Sequence, residues 1–249
     1  LVDLMGGSAL GYWAALVLAA LAVGALGALI ELVLLRRIYQ APELFQLLAT
    51  FALVLVIRDV TLYFFGGEDL FGPRAPGLEG SVQWLGRAIP QYDLFLIAVG
   101  PIVLGLLWWA MTRTRWGTLV RAATQDREMV GALGVNQAWL FTSVFALGAF
   151  LAGLGGALQL PREPASLELD LITLGDAFVV VVVGGMGSIP GAFLAALIIA
   201  ELKAVCIALG QVELFGNSFS FSKLTLVVEF LVMAAVLIWR PYGLLSVFF

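Results

Sequence analysis

Charged side chains interrupt the apolar runs of this chain and are its first candidates for chemistry. Glu201 and Lys203 lie in one run, and Glu229 lies in the next. Arg58 and Asp59 are adjacent in an earlier run. A charge at the bilayer centre costs on the order of 3 kcal/mol, so such residues usually face the interior of a helix bundle and pair. Lys203 and Glu229 are therefore the candidate intramembrane pair, and an ion relay through Glu201, Lys203 and Glu229 is the open alternative.

No catalytic or metal-binding motif is apparent in the sequence. Histidine is absent and Cys206 is the one cysteine, which excludes an internal disulfide and zinc sites built on these residues. Asp93 and Asp176 loosely resemble the paired aspartates of intramembrane proteases, but residue 173 is threonine where that family has glycine. A phosphate-binding Gly-Lys-Ser/Thr loop is also absent. We predict that the chain is not an enzyme, with no catalytic residue, no metal and no cofactor of its own.

The elements that must position these charges are predicted to be membrane-spanning helices. The chain has 249 residues, 62% hydrophobic and 12% charged, with a mean hydropathy of +1.05. Crossing a bilayer takes roughly 20 apolar residues in a helix. We predict an all-α, polytopic transmembrane helical bundle forming a single domain over residues 1–249, and the net charge of −4 argues against nucleic-acid binding. About seven segments are expected, at residues 10–35, 44–65, 92–111, 138–158, 171–183, 190–209 and 222–239.

A glycine-proline break separates two of these apolar runs. Four glycines and a proline within residues 184–191 cannot continue a helix cheaply. Lipid does not tolerate bare irregular backbone, so protein or a water-filled path must cover the break. Because segment 171–183 spans only about 20 Å as a helix, the element is either a broken span or a re-entrant one. The predicted hinge beside the translocation path consists of Gly184, Gly185, Gly187, Ser188, Pro190 and Gly191.

Arginines orient the predicted spans. They follow the first, third and last spans, and the positive-inside rule places those loops in the cytoplasm. The loops 66–91 and 159–170 then lie outside. The first of these is rich in glycine and proline, and we expect a short interfacial helix at 83–89 near its end.

The longest polar loop on the cytoplasmic side covers about residues 113–137 and is called the coupling segment below. It is predicted to form two short helices, at about 118–124 and 127–133. Asp126 can cap the second helix and Gly134 suits the left-handed stop after it. An apolar stripe ringed by charge would dock a cytoplasmic partner, and an ordinary solvated connector is the alternative. The residues assigned to partner contact are Arg121, Asp126, Glu128, Met129, Leu133 and Gly134.

Four stretches of the chain together resemble one family of membrane proteins. They cover residues 31–37 with 48–50, 121–136, 184–192 and 240–245, and the last two are the most specific. The chain resembles the permeases of branched-chain amino acid ABC importers, the LivH/LivM type, which also includes urea and amide permeases. The LivH type is slightly favoured by residues 31–37. The family's usual first spans, with an Asn-Phe-Ala-His-Gly-like motif, are absent, so we expect that N-terminal spans are missing here.

The resemblance implies a function and a set of partners. It implies a multi-pass permease subunit of the bacterial inner membrane that pairs with a second permease, two cytoplasmic ATPase subunits and a periplasmic substrate-binding protein. ATP and Mg would be bound by the ATPase subunits, whose stroke the coupling segment would receive. The cargo would be branched-chain or related amino acids. An ion-coupled secondary transporter using Glu201, Lys203 and Glu229 is the alternative, and it would not need a coupling segment.

Overall fold

The computed structural model describes residues 9–39, 41–84, 87–209, 211–214, 217–220, 225–240 and 243–245. Most of this part of the chain is helical. Its helices are α1 Ala9–Ile30, α2 Arg36–Ile38, α3 Glu43–Phe65, α4 Gln91–Arg113, α5 Arg115–Gln125, α6 Arg127–Ala132, α7 Gln137–Gln159, α8 Leu169–Gly184, α9 Ile189–Leu209 and α10 Thr225–Trp239. A π-helical turn at Glu31–Leu35 continues α1 into α2. Two antiparallel hairpins pair β1 Ser81–Trp84 with β2 Arg87–Pro90 and β3 Gln211–Leu214 with β4 Asn217–Ser220.

The helices fall into two compact units, each with its own core. The first unit comprises the described residues within 1–102 and 109–167, and the second those within 103–108 and 168–249. In the first unit α1 packs along α7, where small residues allow close approach. A Cβ atom added to Gly153 would lie 2.8 Å from Cβ of Val23, so glycine is needed at that position.

The second unit is built from α8, α9 and α10. Its core contains the buried side chains of Val179 and Val183 from α8 and of Ala195 and Ile199 from α9. Met233 of α10 packs against this cluster. The β-branched run that ends α8 therefore supplies the inner face of a three-helix contact rather than a strand.

Within the residues that the structure describes, five of the seven expected spans are present as helices long and apolar enough to cross a membrane. They cover residues 10–38, 43–65, 91–113, 137–159 and 189–209. The expected segment 171–183 lies in the 16-residue helix α8, and the expected segment 222–239 is described as α10, of 15 residues. Residues 222–224 lie outside the described part of the chain. Seven crossings therefore stay a prediction, while a multi-pass helical protein is what these helices support.

The expected interfacial helix at residues 83–89 is wrong. This stretch instead forms the hairpin of β1 and β2, in which Val82 pairs with Ile89 and Ser81 with Pro90. Valine and isoleucine favour strands, and the glycine and proline nearby disfavour a helix. The sequence interpretation also did not anticipate the second hairpin, β3 with β4.

Candidate functional site

The coupling segment forms the two short helices that the sequence predicts. Thr114 caps α5, because its hydroxyl accepts a hydrogen bond of 3.1 Å from the Gly117 amide. Asp126 caps α6, because its Oδ1 accepts a hydrogen bond of 2.9 Å from the Met129 amide. Gly134 follows with φ of +80°, the left-handed conformation that glycine adopts without strain. Local signals in the sequence therefore set the boundaries of both helices.

The apolar stripe of α6 has one buried residue and two exposed ones. Val130 is buried and packs with Val120 and Leu140, which joins α5, α6 and the start of α7 in one cluster. Met129 and Leu133 point away from this cluster and are 58% and 75% exposed. Arg121 is half-buried, whereas Asp126, Glu128 and Gly134 are exposed beside the two apolar side chains. The coupling segment thus keeps one apolar face for its own fold and leaves a second face open.

Arg127 joins the coupling segment to the long helices, although the sequence interpretation did not assign it a role. Its guanidinium carbon lies 4.4 Å from the ring centroid of Phe141 and 6.0 Å from that of Tyr39. Its Nε donates to the Gln137 side-chain oxygen at 3.2 Å, and the Gln137 amide nitrogen donates back to the Arg127 carbonyl at 2.7 Å. One side chain therefore binds α6 to the first turns of α7 and to the end of the first long helix.

A fully buried carboxylate lies close to this junction. Glu31, at the start of the π-helical turn, is 0% exposed. One of its oxygens accepts a 2.5 Å hydrogen bond from the Thr142 hydroxyl and lies 3.5 Å from the Arg36 guanidinium. Arg36 also donates to the Thr142 hydroxyl at 2.9 Å and to the Ala138 carbonyl at 3.3 Å. A buried charge needs such partners, and here they fix the π-helical turn against α7.

Tyr39 interacts with both Arg127 and Glu31, and the pKa of its phenol is raised. Burial raises the pKa of the Tyr39 phenol, and the negative charge of Glu31 raises that pKa further. The phenol therefore stays neutral at physiological pH. The Tyr39 and Phe141 rings pack edge-to-face with centroids 6.2 Å apart, and the neutral phenol adds no charge beside Glu31 and Arg127.

The glycine-proline stretch is a break between two helices in the described structure. Helix α8 ends at Gly184, residues 185–188 form a turn, and α9 begins at Ile189. Gly185 and Gly187 have φ of +99° and +88°. The Ser188 hydroxyl accepts a 3.1 Å hydrogen bond from the Gly191 amide, and Pro190 falls in the first turn of α9, where its missing N–H costs nothing. Its predicted role beside a translocation path stays a prediction.

The end of the described chain covers this break. The Leu244 amide donates to the Val183 carbonyl at 2.8 Å, and the Leu245 amide donates to the Gly184 carbonyl at 3.3 Å. These are carbonyls at the C-terminal end of α8, which have no partner inside the helix. Gly243 lies so close to Gly185 that an added Cβ atom would overlap it. Two of the four stretches that carry the family resemblance, residues 184–192 and 240–245, therefore contact each other.

The predicted pairing of Lys203 with Glu229 is present and includes a third residue. The Lys203 ammonium lies 3.0 Å from a Glu229 carboxylate oxygen and 2.5 Å from Oδ1 of Asp176. The 3.0 Å contact between Lys203 and Glu229 is an ion pair with a buried carboxylate. Glu229, on α10, is buried. Glu201, two residues before Lys203 on α9, is exposed. Arg58 and Asp59 are exposed on α3.

The two aspartates that loosely resembled a protease pair each have a cation of their own. Asp93 lies 3.4 Å from the Arg162 guanidinium, and Asp176 lies beside Lys203. An aspartyl protease needs two carboxylates that share one proton. Separate ion pairs do not provide that arrangement, so the geometry gives no support to proteolysis.

The five long apolar helices in the described part of the chain define the class as a multi-pass membrane protein. The chain belongs to the family described as branched-chain amino acid transport system / permease component, whose model matches residues 2–237. The family resemblance seen in the sequence is therefore confirmed, and the chain is a transport permease rather than an enzyme.

Curated relatives agree with this assignment. The permease protein BraD of Pseudomonas aeruginosa, of a high-affinity branched-chain amino acid transport system, is 27% identical over 89% of this chain and 70% of its own length. The LivH permease protein of Salmonella typhimurium, of a system with the same description, is 25% identical over 96% of this chain and 74% of its own. The fructose import permease protein FrcC of Rhizobium meliloti is 29% identical over 46% of this chain and 33% of its own. No solved structure matches the chain.

Proposed function

We propose that this chain is the transmembrane permease subunit of an ATP-binding cassette importer that moves branched-chain or related amino acids across the bacterial inner membrane. The observation that carries the proposal is the family match over residues 2–237, together with relatives described as branched-chain amino acid permeases. The similarity to a fructose permease covers less than half of the chain. It is therefore weaker support for a sugar as the cargo than the long matches are for an amino acid.

The coupling segment is the proposed contact with the ATPase. Met129 and Leu133 form a compact apolar surface flanked by the charges of Asp126 and Glu128. An amphipathic helix with such a surface suits docking into a groove of a partner. The cluster around Val130 and the contacts of Arg127 hold the segment rigidly on α7, so a push on α6 would move the long helices with it. A solvated connector would not need these contacts.

The break at residues 184–191 is the proposed hinge. Gly184, Gly185, Gly187, Ser188, Pro190 and Gly191 combine positive φ angles with close backbone approach, and the carbonyls at the end of α8 bond to the C-terminal segment. Such a joint can change its angle while its polar groups stay covered, which lipid requires. In this proposal the hinge borders the path, and its role is gating rather than direct substrate contact.

The partners follow from the same proposal. They are a second permease subunit, two cytoplasmic ATPase subunits that bind ATP and Mg, and a periplasmic substrate-binding protein. Residues 1–249 form one transmembrane permease domain with about seven membrane segments, in which α8 and α10 are the short ones. The arginine-rich coupling segment lies in the cytoplasm, which the positive-inside rule supports.

Reconstitution tests this proposal. The chain is purified with its partner subunits, placed in proteoliposomes with the binding protein, and supplied with labelled leucine or labelled urea. We expect ATP-dependent uptake of leucine well above that of urea, and no uptake when ATP is left out. Uptake that persists without ATP and follows an imposed proton or sodium gradient would instead support the ion-coupled alternative.

A further inference from the structure

A cavity of about 390 Å³ opens at one end of the first unit. It lies among the loop between α3 and β1, the start of α4 and the residues that follow α7. Its volume falls within the roughly 300–1,000 Å³ typical of small-molecule sites. No role described above uses this cavity.

The cavity and the coupling segment lie at opposite ends of α7. At one end, Gln137 bonds with Arg127 of the coupling segment. At the other end, the Tyr92 hydroxyl, whose side chain lines the cavity, donates to the Leu158 carbonyl at 2.6 Å. A 23-residue helix is about 35 Å long, close to the thickness of a bilayer's hydrocarbon core. With the coupling segment in the cytoplasm, the cavity opens on the outer face.

The wall of the cavity carries charges of both signs. Arg162 and Asp93 neutralise each other across 3.4 Å. Arg74 and Glu79 also line the cavity and are exposed, and neither has an ion-pair partner in the described part of the chain. The cavity therefore presents one unpaired guanidinium and one unpaired carboxylate to whatever enters.

Part of the remaining wall is apolar and belongs to the core of the first unit. Ala75 and Tyr92 are buried members of one core cluster, and Leu78 packs against them. All three line the cavity. An apolar wall next to a free cation and a free anion matches a molecule with a carboxylate, an ammonium and a compact hydrocarbon side chain.

We propose that this cavity is an outer binding site for the zwitterion of an apolar α-amino acid. Arg74 pairs with the substrate carboxylate and Glu79 with its ammonium, while the hydrocarbon side chain packs against Leu78 and Tyr92. The inference rests on the proposed function for its substrate class and for the face on which the cavity opens.

Direct binding to the chain, purified with its partner permease in nanodiscs without the binding protein, tests the site. The probes are leucine, leucinamide, which lacks the carboxylate, and 4-methylpentanoate, which lacks the ammonium. We expect leucine to bind more tightly than either analogue. Arg74→Gln should weaken leucine about tenfold and remove its advantage over leucinamide, since a hydrogen-bonded charge contact is lost. Glu79→Gln should remove the advantage over 4-methylpentanoate.

Two variants serve as controls for these measurements. Glu163→Gln removes an exposed carboxylate next to Arg162 that does not line the cavity, and leucine affinity should not change. Arg74→Lys keeps the positive charge and should retain most of the affinity. A melting temperature equal to that of the unmodified complex would show that each variant is folded.

Other outcomes would overturn the inference. Leucine affinity that is unchanged in both Arg74→Gln and Glu79→Gln would do so. Variants that keep their leucine affinity but no longer bind the substrate-binding protein would also do so, because the two charges would then belong to a protein docking surface. ATP-driven uptake is measured separately in proteoliposomes. Uptake of leucine by a complex whose cavity does not bind leucine contradicts the site alone, whereas leucine binding in a complex without ATP-driven uptake contradicts the proposed function alone.

Discussion

The Thr142 hydroxyl donates a 2.5 Å hydrogen bond to the buried carboxylate of Glu31, across 111 residues of sequence. This bond joins the π-helical turn of the first long helix to α7, and Arg36 contacts both of its partners. Thr142 directly follows Phe141, whose ring centroid lies 4.4 Å from the Arg127 guanidinium carbon, so the buried carboxylate and the coupling segment contact neighbouring residues of α7.

Thr142→Val should destabilise the chain. The substitution keeps the shape of the side chain but removes the hydroxyl that donates to the buried Glu31 carboxylate, at a cost of about 1.5–3 kcal/mol. Thermal unfolding in detergent measures the loss. Thr61→Val is the matched control, because the Thr61 hydroxyl bonds only within exposed α3, and it should change the melting temperature little. Equal effects of the two substitutions would contradict the importance of the buried bond.

Arg127→Gln should uncouple the ATPase from transport. It removes a cation that lies over the Phe141 ring, a contact of about 0.5–2 kcal/mol, and the bond to Gln137 with it. We expect basal ATP hydrolysis by the assembled complex to persist while stimulation by the loaded binding protein falls. Arg37→Gln, at an exposed arginine on α2, should leave the stimulation intact. Full stimulation in Arg127→Gln would show that this junction does not transmit the stroke.

The double substitution Met129→Asp with Leu133→Asp should release the ATPase subunits. Both side chains are exposed, so the chain itself should remain folded while the apolar docking surface is lost. Co-purification of the ATPase measures the outcome, and Phe71→Asp, at an exposed phenylalanine outside the coupling segment, is the control. An undiminished yield of ATPase with the double variant would refute docking at this face.

Gly187→Val should abolish transport while membrane insertion remains normal. Gly187 has φ of +88°, and no atom lies within 4 Å of an added Cβ, so the effect arises from backbone conformation alone. A valine there costs about 1–3 kcal/mol of strain. Gly187→Asn should keep much of the uptake, since asparagine tolerates the left-handed region. Normal uptake by the valine variant would be inconsistent with a gating hinge.

Lys203→Met should be more damaging than its combination with Glu229→Gln. The single change leaves the buried Glu229 carboxylate without its cation, whereas the pair of changes removes the buried carboxylate together with the half-buried ammonium and leaves the half-exposed Asp176. Protein abundance in the membrane reports the difference, and Glu201→Gln on the exposed face of α9 should have little effect. Failure of the second substitution to restore abundance would contradict the ion pair.

The features predicted well from the sequence depend on neighbouring residues. The cap at Asp126 and the stop at Gly134 each involve residues within about one turn, so the helices of the coupling segment were predictable. The same holds for the five long apolar helices, whose signal is their composition.

The features that were missed depend on contacts between distant parts of the chain. Arg127 meets Phe141 and Tyr39 only because α7 returns beside the first long helix. Val130 has the same apolar character as Met129, and only packing against Leu140 distinguishes its buried role. The wrong prediction at 83–89 has a different cause, since a short stretch between two turns gave no periodic pattern strong enough to separate helix from hairpin.

In the proposed hinge, the bonds from Leu244 and Leu245 to the last carbonyls of α8 link residues 243–245 to the angle between α8 and α9. A change in that angle must stretch these bonds, so any antibody, fusion or cross-link that immobilises residues 243–245 would also favour one conformation of the break. An inhibitor of this permease therefore need not enter the path. It could act by holding residues 243–245 in place.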